Sequence, residues 1–220
     1  MRKLLQIMAL LLCTALYACS SDEPNRPDDD NPAGSTNNSS VTINADGSTS
    51  TGVVFAPIDE TSFFLDYIKY EIVDSHLEIV GYDPIEIAED VKPYATVNYL
   101  GVSYNTRVVA DDAFNGCTSI SSISLPESLT SIGYRAFRGC TSLSTISLPE
   151  SLTEIGFFAF GSCTSLTTIK CMAKNPPSID WNFPFNDTTY QNAILYVPTA
   201  SVELYKKAYC WSSFANIQGF

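Results

Sequence analysis

Seven cysteines and one histidine are the side chains of this 220-residue sequence with the most chemistry to offer. Cys117, Cys140 and Cys163 recur at one fixed interval. Thiols so placed could form a disulfide, hold a soft metal or pack as small apolar groups. Three is an odd number, there is no Cys-x-x-Cys spacing, and no second histidine completes a zinc set. Packing is therefore the leading reading, with one disulfide or a metal site behind it. Cys171 falls in a slot that reads as core, and Cys210 stays open between the alternatives. His76 stands among polar neighbours in a predicted turn, far from any Ser or Cys framed as a nucleophile, and reads as a solvated turn residue. No Gly-x-Ser-x-Gly, His-Glu-x-x-His or phosphate-loop sequence is present. Asp28, Asp29 and Asp30 lack the alternating ligands and glycine of a calcium loop. The sequence predicts neither an enzyme nor a cofactor or metal site.

Cys19 belongs to a different chemistry. Arg2 and Lys3 precede an apolar run over residues 4–16 that only Gln6 and Thr14 interrupt with clear polarity. This is the layout of a secretory leader, and the run is too short to span a bilayer comfortably. It ends in Leu16-Tyr17-Ala18-Cys19, which resembles the bacterial lipobox. The resemblance implies that residues 1–18 are removed and that Cys19 carries the lipid. Several acyl chains on one residue suit stable anchoring, which a single chain does not give. Residues 19–50 are almost devoid of apolar side chains and cannot repay their ordering entropy, so they read as a flexible tether. Ser20-Ser21-Asp22-Glu23, directly after the cysteine, resembles acidic signals that send some lipoproteins to the outer face. The expected location is the outer membrane, surface-exposed, with the lipid as the sole membrane contact.

Charge narrows the partners. Losing Arg2 and Lys3 from 12 basic residues leaves 10 against 24 acidic ones, a formal charge of −14. Nucleic acid is therefore excluded as a partner. The surplus is uneven: across residues 113–171, Glu127, Glu150 and Glu154 balance Arg135, Arg138 and Lys170. About 170 residues follow the tether, enough for one domain with a sizeable core.

The element that must position everything else is an internal repeat. Residues 113–135 read AFNGCTSISSISLPESLTSIGYR and residues 136–158 read AFRGCTSLSTISLPESLTEIGFF, identical at 17 of 23 positions without a gap. Residues 159–171 keep the frame for half a turn. Ile146 and Leu148 alternate with Thr145 and Ser147, which predicts a short strand with one side in the core and the hydroxyls facing out. Pro149 ends that strand, having no N–H for a neighbour. Leu152 and Ile155 return to the core from the opposite wall, Gly156 permits a sharp bend, and Ala159, Phe160 and Cys163 close the coil. One coil cannot cover its own apolar face, so coils must stack.

This frame, L-x-x-I-x-L-P-x-x-L-x-x-I-G-x-x-A-F-x-x-C, resembles the bacterial BspA-like leucine-rich repeats. The resemblance implies a mainly β solenoid of 23-residue repeats and a surface protein that attaches to host or bacterial proteins or to glycans. Residues 107–114 look like one more, degenerate coil, with Val109 in place of Ile132. Residues 51–112 are expected to form a β-rich N-terminal cap. Its two hairpins turn at Asp74-Ser75-His76 and at Leu100-Gly101. Repeats should fill residues 113–179, and residues 180–220 should close the stack with a strand and a helix over residues 201–209, N-capped by Thr199 or Ser201.

Two surfaces are candidates for binding. The outward rows of the main sheet place Ser122, Thr145 and Thr168 beside Ser124, Ser147 and Lys170. The bends offer Tyr134, Arg135, Arg138, Phe157 and Phe158, residue types enriched in interface hot spots. The expected function is a surface-anchored lipoprotein displaying a protein-binding or adhesive repeat module. A glycan-binding accessory lipoprotein is the alternative, and would call for aromatic platforms on a sheet face.

Overall fold

A computed structural model describes residues 39–44, 48–49, 55–85, 87–179 and 183–220. Cys19, the leader and most of the expected tether lie outside the described residues.

The N-terminal cap is built from β-hairpins. Strands β1 (Ser40–Ile43), β2 (Phe55–Pro57), β3 (Ser62–Leu65), β4 (Ile68–Val73) and β5 (His76–Tyr82) come first, followed by β6 (Asp90–Val91), β7 (Thr96–Tyr99) and β8 (Val102–Val109). Strands β2 to β5 are consecutive antiparallel neighbours. The β4–β5 hairpin pairs Val73 with His76, and Asp74 in its turn has φ 53°. The β7–β8 hairpin turns on Leu100 and Gly101, with φ 50° and 79°. Two successive left-handed residues match the twist of the flanking strands, which is why this loop needs only two. Both hairpins lie where the alternation of apolar residues places them.

Strand β1 corrects one boundary, because it lies inside the segment expected to be tether. Val41 and Ile43 are buried, and the strand runs parallel to β7, pairing Val41 with Val97 and Ile43 with Tyr99. Two alternating apolar residues are too few to stand out from a polar sequence, yet they suffice once β7 supplies the ladder.

The repeats make a two-walled coil. Strands β9 (Ser122–Ser124), β11 (Thr145–Leu148), β13 (Thr168–Cys171) and β15 (Ile194–Val197) form one parallel wall, with β6 before them and β16 (Asn216–Gly219) after them. The second wall consists of β8, β10 (Ser131–Ile132), β12 (Glu154–Ile155) and β14 (Ser178–Ile179). Equivalent residues stack in register: Val91, Ile123, Ile146, Ile169 and Leu195 on the first wall, and Val109, Ile132, Ile155 and Ile179 on the second. Val109 thus does occupy the Ile132 slot, and Cys171 pairs with Leu148.

Between the walls runs a column of aromatic rings. Phe114, Phe137, Phe160 and Phe185 stack with centroids 5.1 to 5.3 Å apart and planes within 9° of parallel. Tyr82 covers the N-terminal end of the column at 5.7 Å. Trp211 and Phe214 meet Phe185 edge-on at the other end. Hydroxyls on the second wall bind each coil to the one before. Thr130 Oγ1 donates to the Arg107 carbonyl, Thr153 Oγ1 to Thr130 and Ser178 Oγ to Thr153, over 3.0 to 3.2 Å.

The C-terminal segment departs from its expected form. A helix α1 (Asp187–Asn192) appears where none is predicted, and the expected helix shrinks to α2 (Val202–Tyr205) behind a 3-10 turn, Thr199–Ser201. The proposed caps are engaged elsewhere: Thr199 Oγ1 donates to the Phe220 carbonyl and Ser201 Oγ to the Lys174 carbonyl of the preceding coil. Tyr205 and Trp211 are turned into the core, where Tyr205 Oη donates to the Ala173 carbonyl and Trp211 Nε1 to the Pro177 carbonyl.

Candidate functional site

Each coil leaves the second wall through a bend of constant geometry, and the residues at that bend vary. Asp112, Arg135 and Phe158 occupy one slot 23 residues apart and share a left-handed backbone, with φ 55°, 53° and 54°. Such a conformation costs a non-glycine residue roughly 1–2 kcal/mol. Stacking holds it in place: the Asp112 N–H donates to the Tyr134 carbonyl, the Arg135 N–H to Phe157, and the Phe158 N–H to Phe183. Two residues earlier, Gly133 and Gly156 sit against the preceding coil so closely that a Cβ on Gly156 would lie 2.7 Å from Gly133 backbone carbon. The bend therefore needs glycine there and leaves the next two side chains to project outward.

These projecting side chains gather into a ridge. The Tyr134 and Phe157 rings are 5.9 Å apart, Phe157 and Phe158 are 3.9 Å apart, and the Arg135 guanidinium carbon lies 4.5 Å from the centre of the Tyr134 ring, a cation–π distance. Phe158 and Phe183 are 38% and 43% exposed. Together with Phe157, Phe185, Asn186, Asp187 and Thr188 they line an open groove of about 480 Å³. Phe183 passes the ridge on to Tyr209, 6.3 Å away and 62% exposed. Asn186 closes the last bend: its Oδ1 accepts from the Ser162 N–H at 2.7 Å, standing in for the carbonyl of a further coil.

The main-sheet face is different. Ser124, Ser147, Lys170 and Tyr196 stack in register beside Ser122, Thr145 and Thr168. Ser147 is only 4% exposed, so it corrects the expectation of an accessible hydroxyl; neighbours of the parallel strands on either side enclose a side chain this short. Lys170 Nζ lies 4.7 Å from the Phe220 ring centre and is thereby tied to the C-terminal segment. Thr145 is half-buried.

Comparison with known proteins adds the family. The description "BspA type Leucine rich repeat region" fits six copies over residues 93–215, more than half of the chain. The chain belongs to the BspA-type leucine-rich-repeat family. Its fold is similar to a leucine-rich repeat protein of Bacteroides capillosus, with 26% identity and a TM-score of 0.53 over 63% of this chain and 99% of that one. A Treponema pallidum leucine-rich repeat protein shows 21% identity and a TM-score of 0.48, covering 70% of this chain and 83% of that chain. One from Bacteroides ovatus shows 22% identity and a TM-score of 0.49, covering 71% and 40%. No curated protein sequence matches the chain. Leucine-rich repeats of this family are generally binding modules that mediate protein–protein contact and are not enzymes.

In these BspA-type repeats the structure brings Tyr134, Arg135, Phe157 and Phe158 together at the bends. Arg138 is exposed in the turn that follows, where its carbonyl accepts from the Gly116 N–H. Thr145, Ser147 and Lys170 lie on the opposite wall, so the candidate residues form two surfaces. The Phe158 N–H bonds the Phe183 carbonyl of the C-terminal segment, while the Phe158 ring stays exposed. Sequence reasoning missed Phe183, Tyr209, Asn186 and Asp187, which lie beyond the regular frame. A cluster of aromatics directly after the last repeat was the signal available for them.

The thiols complete the survey of reactive groups. Cys117, Cys140, Cys163, Cys171 and Cys210 are all free and buried. Cys140 Sγ and Cys163 Sγ point at the Phe114 and Phe137 carbonyls of the preceding coils, at 3.3 and 3.0 Å. The neighbouring Cys163 thiol and burial push Cys140 well above the usual thiol range, and burial pushes Cys171 up to about 11. Such thiols are poor nucleophiles. His76 Nε2 lies 3.3 Å from Glu78 Oε1, apart from any cysteine. Among the described residues no three His, Cys, Asp or Glu side chains are grouped to hold a metal.

Proposed function

We propose that this chain is a lipid-anchored surface module that docks a partner protein on the bend edge of its repeats and carries out no chemistry on it. The observation that carries the reading is the aromatic ridge that runs from half-buried Tyr134 and Phe157 to exposed Phe158 and Phe183, with Arg135 set against it. Exposed large apolar rings beside a guanidinium are the residue types on which protein interfaces concentrate their energy. On the main-sheet face Ser147 is enclosed, Tyr196 is half-buried and Lys170 is engaged by Phe220, so fewer exposed rings stand there than at the bends.

Anchoring through Cys19 and display on the outer membrane rest on the lipobox and the leader before it. Adhesion to a host or bacterial surface protein is the role that fits a tethered module with this ridge. The test combines protease treatment of intact cells with capture of a surface protein by the full chain. Loss of the chain to external protease, together with a captured protein recovered uncleaved and unmodified, supports the reading. Protection of the chain in intact cells, or turnover of what it binds, contradicts it.

A further inference from the structure

We infer that the bend-edge groove takes a linear segment of a partner protein in which an acidic side chain lies a few residues from a large apolar one. The carboxylate docks on Arg135 and the apolar side chain enters between Phe158 and Phe183. This deepens the protein-binding reading above and rests on it.

Arg135 is the first reason. Its guanidinium is held over Tyr134, its Nε is buried with no hydrogen-bond partner, and among the described residues no carboxylate ion-pairs with it. The acidic groups of the preceding coil have other engagements: Asp111 Oδ1 accepts from the Tyr134 N–H and Asp112 Oδ1 from Asn115 Nδ2, both at 2.7 Å. A rigid, uncompensated guanidinium with a planar fork of donors is matched by a carboxylate, which can bind it bidentately. Without the leader the chain carries 10 basic against 24 acidic residues, −14, with the surplus outside the balanced repeats, so an acidic segment is repelled there and drawn to the bends where Arg135 and Arg138 stand.

The groove is the second reason. Its volume of about 480 Å³ falls in the range of ligand-holding clefts. Four phenylalanines line it, together with Asn186, Asp187 and Thr188. An apolar side chain matches such walls. A sugar would need several convergent hydrogen-bonding groups, and Asn186 Oδ1 is already occupied by the Ser162 N–H.

Spacing is the third. The Arg135 N–H bonds the Phe157 carbonyl at 3.1 Å, so Arg135 and Phe158 are neighbours in one slot column, one coil apart, and the groove opens beyond Phe158. Paired strands stand about 4.8 Å apart and an extended chain advances about 3.3 Å per residue, so two ligand side chains one to two coils apart are roughly two to three residues apart.

The test is panning of phage-displayed random dodecapeptides on the full chain. A synthetic peptide of the enriched sequence is then titrated into wild type, Arg135→Gln, Phe158→Asn and, as a control on the other wall, Thr145→Lys. Asparagine tolerates the left-handed backbone at position 158. The expected result is enrichment of Asp or Glu roughly two to three residues from Trp, Phe, Tyr or Leu. Binding should weaken about tenfold or more in the first two variants and stay unchanged in the third. Should a variant unfold, wild type is titrated instead with the peptide whose acidic residue is replaced by its amide; weaker binding of the amide form supports the proposal and equal binding overturns it. Absence of enrichment, enrichment without the acidic–apolar pair, or binding indifferent to Arg135 and Phe158 also overturns it. So does Arg135-dependent binding of uronate- or sialate-bearing oligosaccharides with no peptide bound. A captured partner protein that binds wild type and both variants equally would overturn the groove while leaving the module reading intact; a chain that binds no protein at all defeats both.

Discussion

Phe114 and Phe137 stack with ring centroids 5.2 Å apart and planes 5° from parallel, and this contact, repeated at Phe160 and Phe185, joins the coils through the core as the strand ladders join them at the walls. Both rings are fully buried. Aromatic pairs contribute about 0.5–1.5 kcal/mol beyond the area they bury. Phe137→Ala is expected to cost about 3–5 kcal/mol, since it opens a cavity in the middle of the column, and Phe137→Leu distinctly less. Urea unfolding of the two variants checks the order; equal losses would mean that the cavity left by alanine costs nothing beyond the loss of the stacked ring.

The bends give a second expectation. Gly156→Ala would place a Cβ 2.7 Å from the backbone of Gly133 and Tyr134, whereas a Cβ on Gly116, at φ +76°, meets nothing within 4 Å. Gly156→Ala is therefore expected to be severely destabilising and Gly116→Asn mild, because asparagine tolerates that φ and the space is open. Melting temperatures of both variants decide it, and the reverse order would contradict the close coil contact.

The thiols set the alkaline limit of stability. Burial raises Cys171 from an ordinary value of 9.0 to about 11, and burial followed by Cys117 raises Tyr82 to about 12. Between about pH 9 and 11 the unfolded chain releases a Cys171 proton that the folded chain retains, so stability falls as pH rises through that window. The stabilising contribution is complete below pH 9. Urea midpoints measured from pH 7 to 11 should be flat at first and then decline; a rising midpoint would contradict the burial. Thiol titration of the denatured, unreduced chain should find Cys117, Cys140, Cys163, Cys171 and Cys210 all free, and a disulfide at any of them would undo the packing account.

Anchoring yields a separate expectation. Cys19→Ala should move the protein from membranes to soluble fractions, because the thiol is the point of lipid attachment implied by the lipobox. Recovery of the variant in the membrane pellet with its leader attached would count against lipidation.

What the sequence revealed of the fold follows from where its signals repeat. Ile123, Ile146 and Ile169 recur in one frame, so their shared wall and register could be read directly, and Gly133 and Gly156 at their bends likewise. Val41 and Ile43 were missed because their strand exists only against β7, a partner more than 50 residues away. The helix expected after Thr199 was overdrawn because Thr199 and Ser201 spend their hydroxyls on other segments, which no local pattern reveals. At the site, Tyr134, Arg135, Phe157 and Phe158 were legible as the variable residues of a constant frame. Phe183, Tyr209 and Asp187 lie where the sequence no longer keeps the 23-residue frame, and Ser147 looked exposed because alternation tells which way a side chain points and not how closely its neighbours enclose it.

The central claim is that partners dock on the bend edge. The most direct measurement is the dissociation constant of a captured surface protein for wild type and for two double variants, Arg135→Ala with Arg138→Ala and Thr145→Ala with Ser147→Ala, each checked for an unchanged fold. The bend pair should weaken binding about tenfold or more and the sheet pair leave it within about twofold. Normal binding by the bend pair with loss in the sheet pair would contradict the account and move the site to the hydroxyl face.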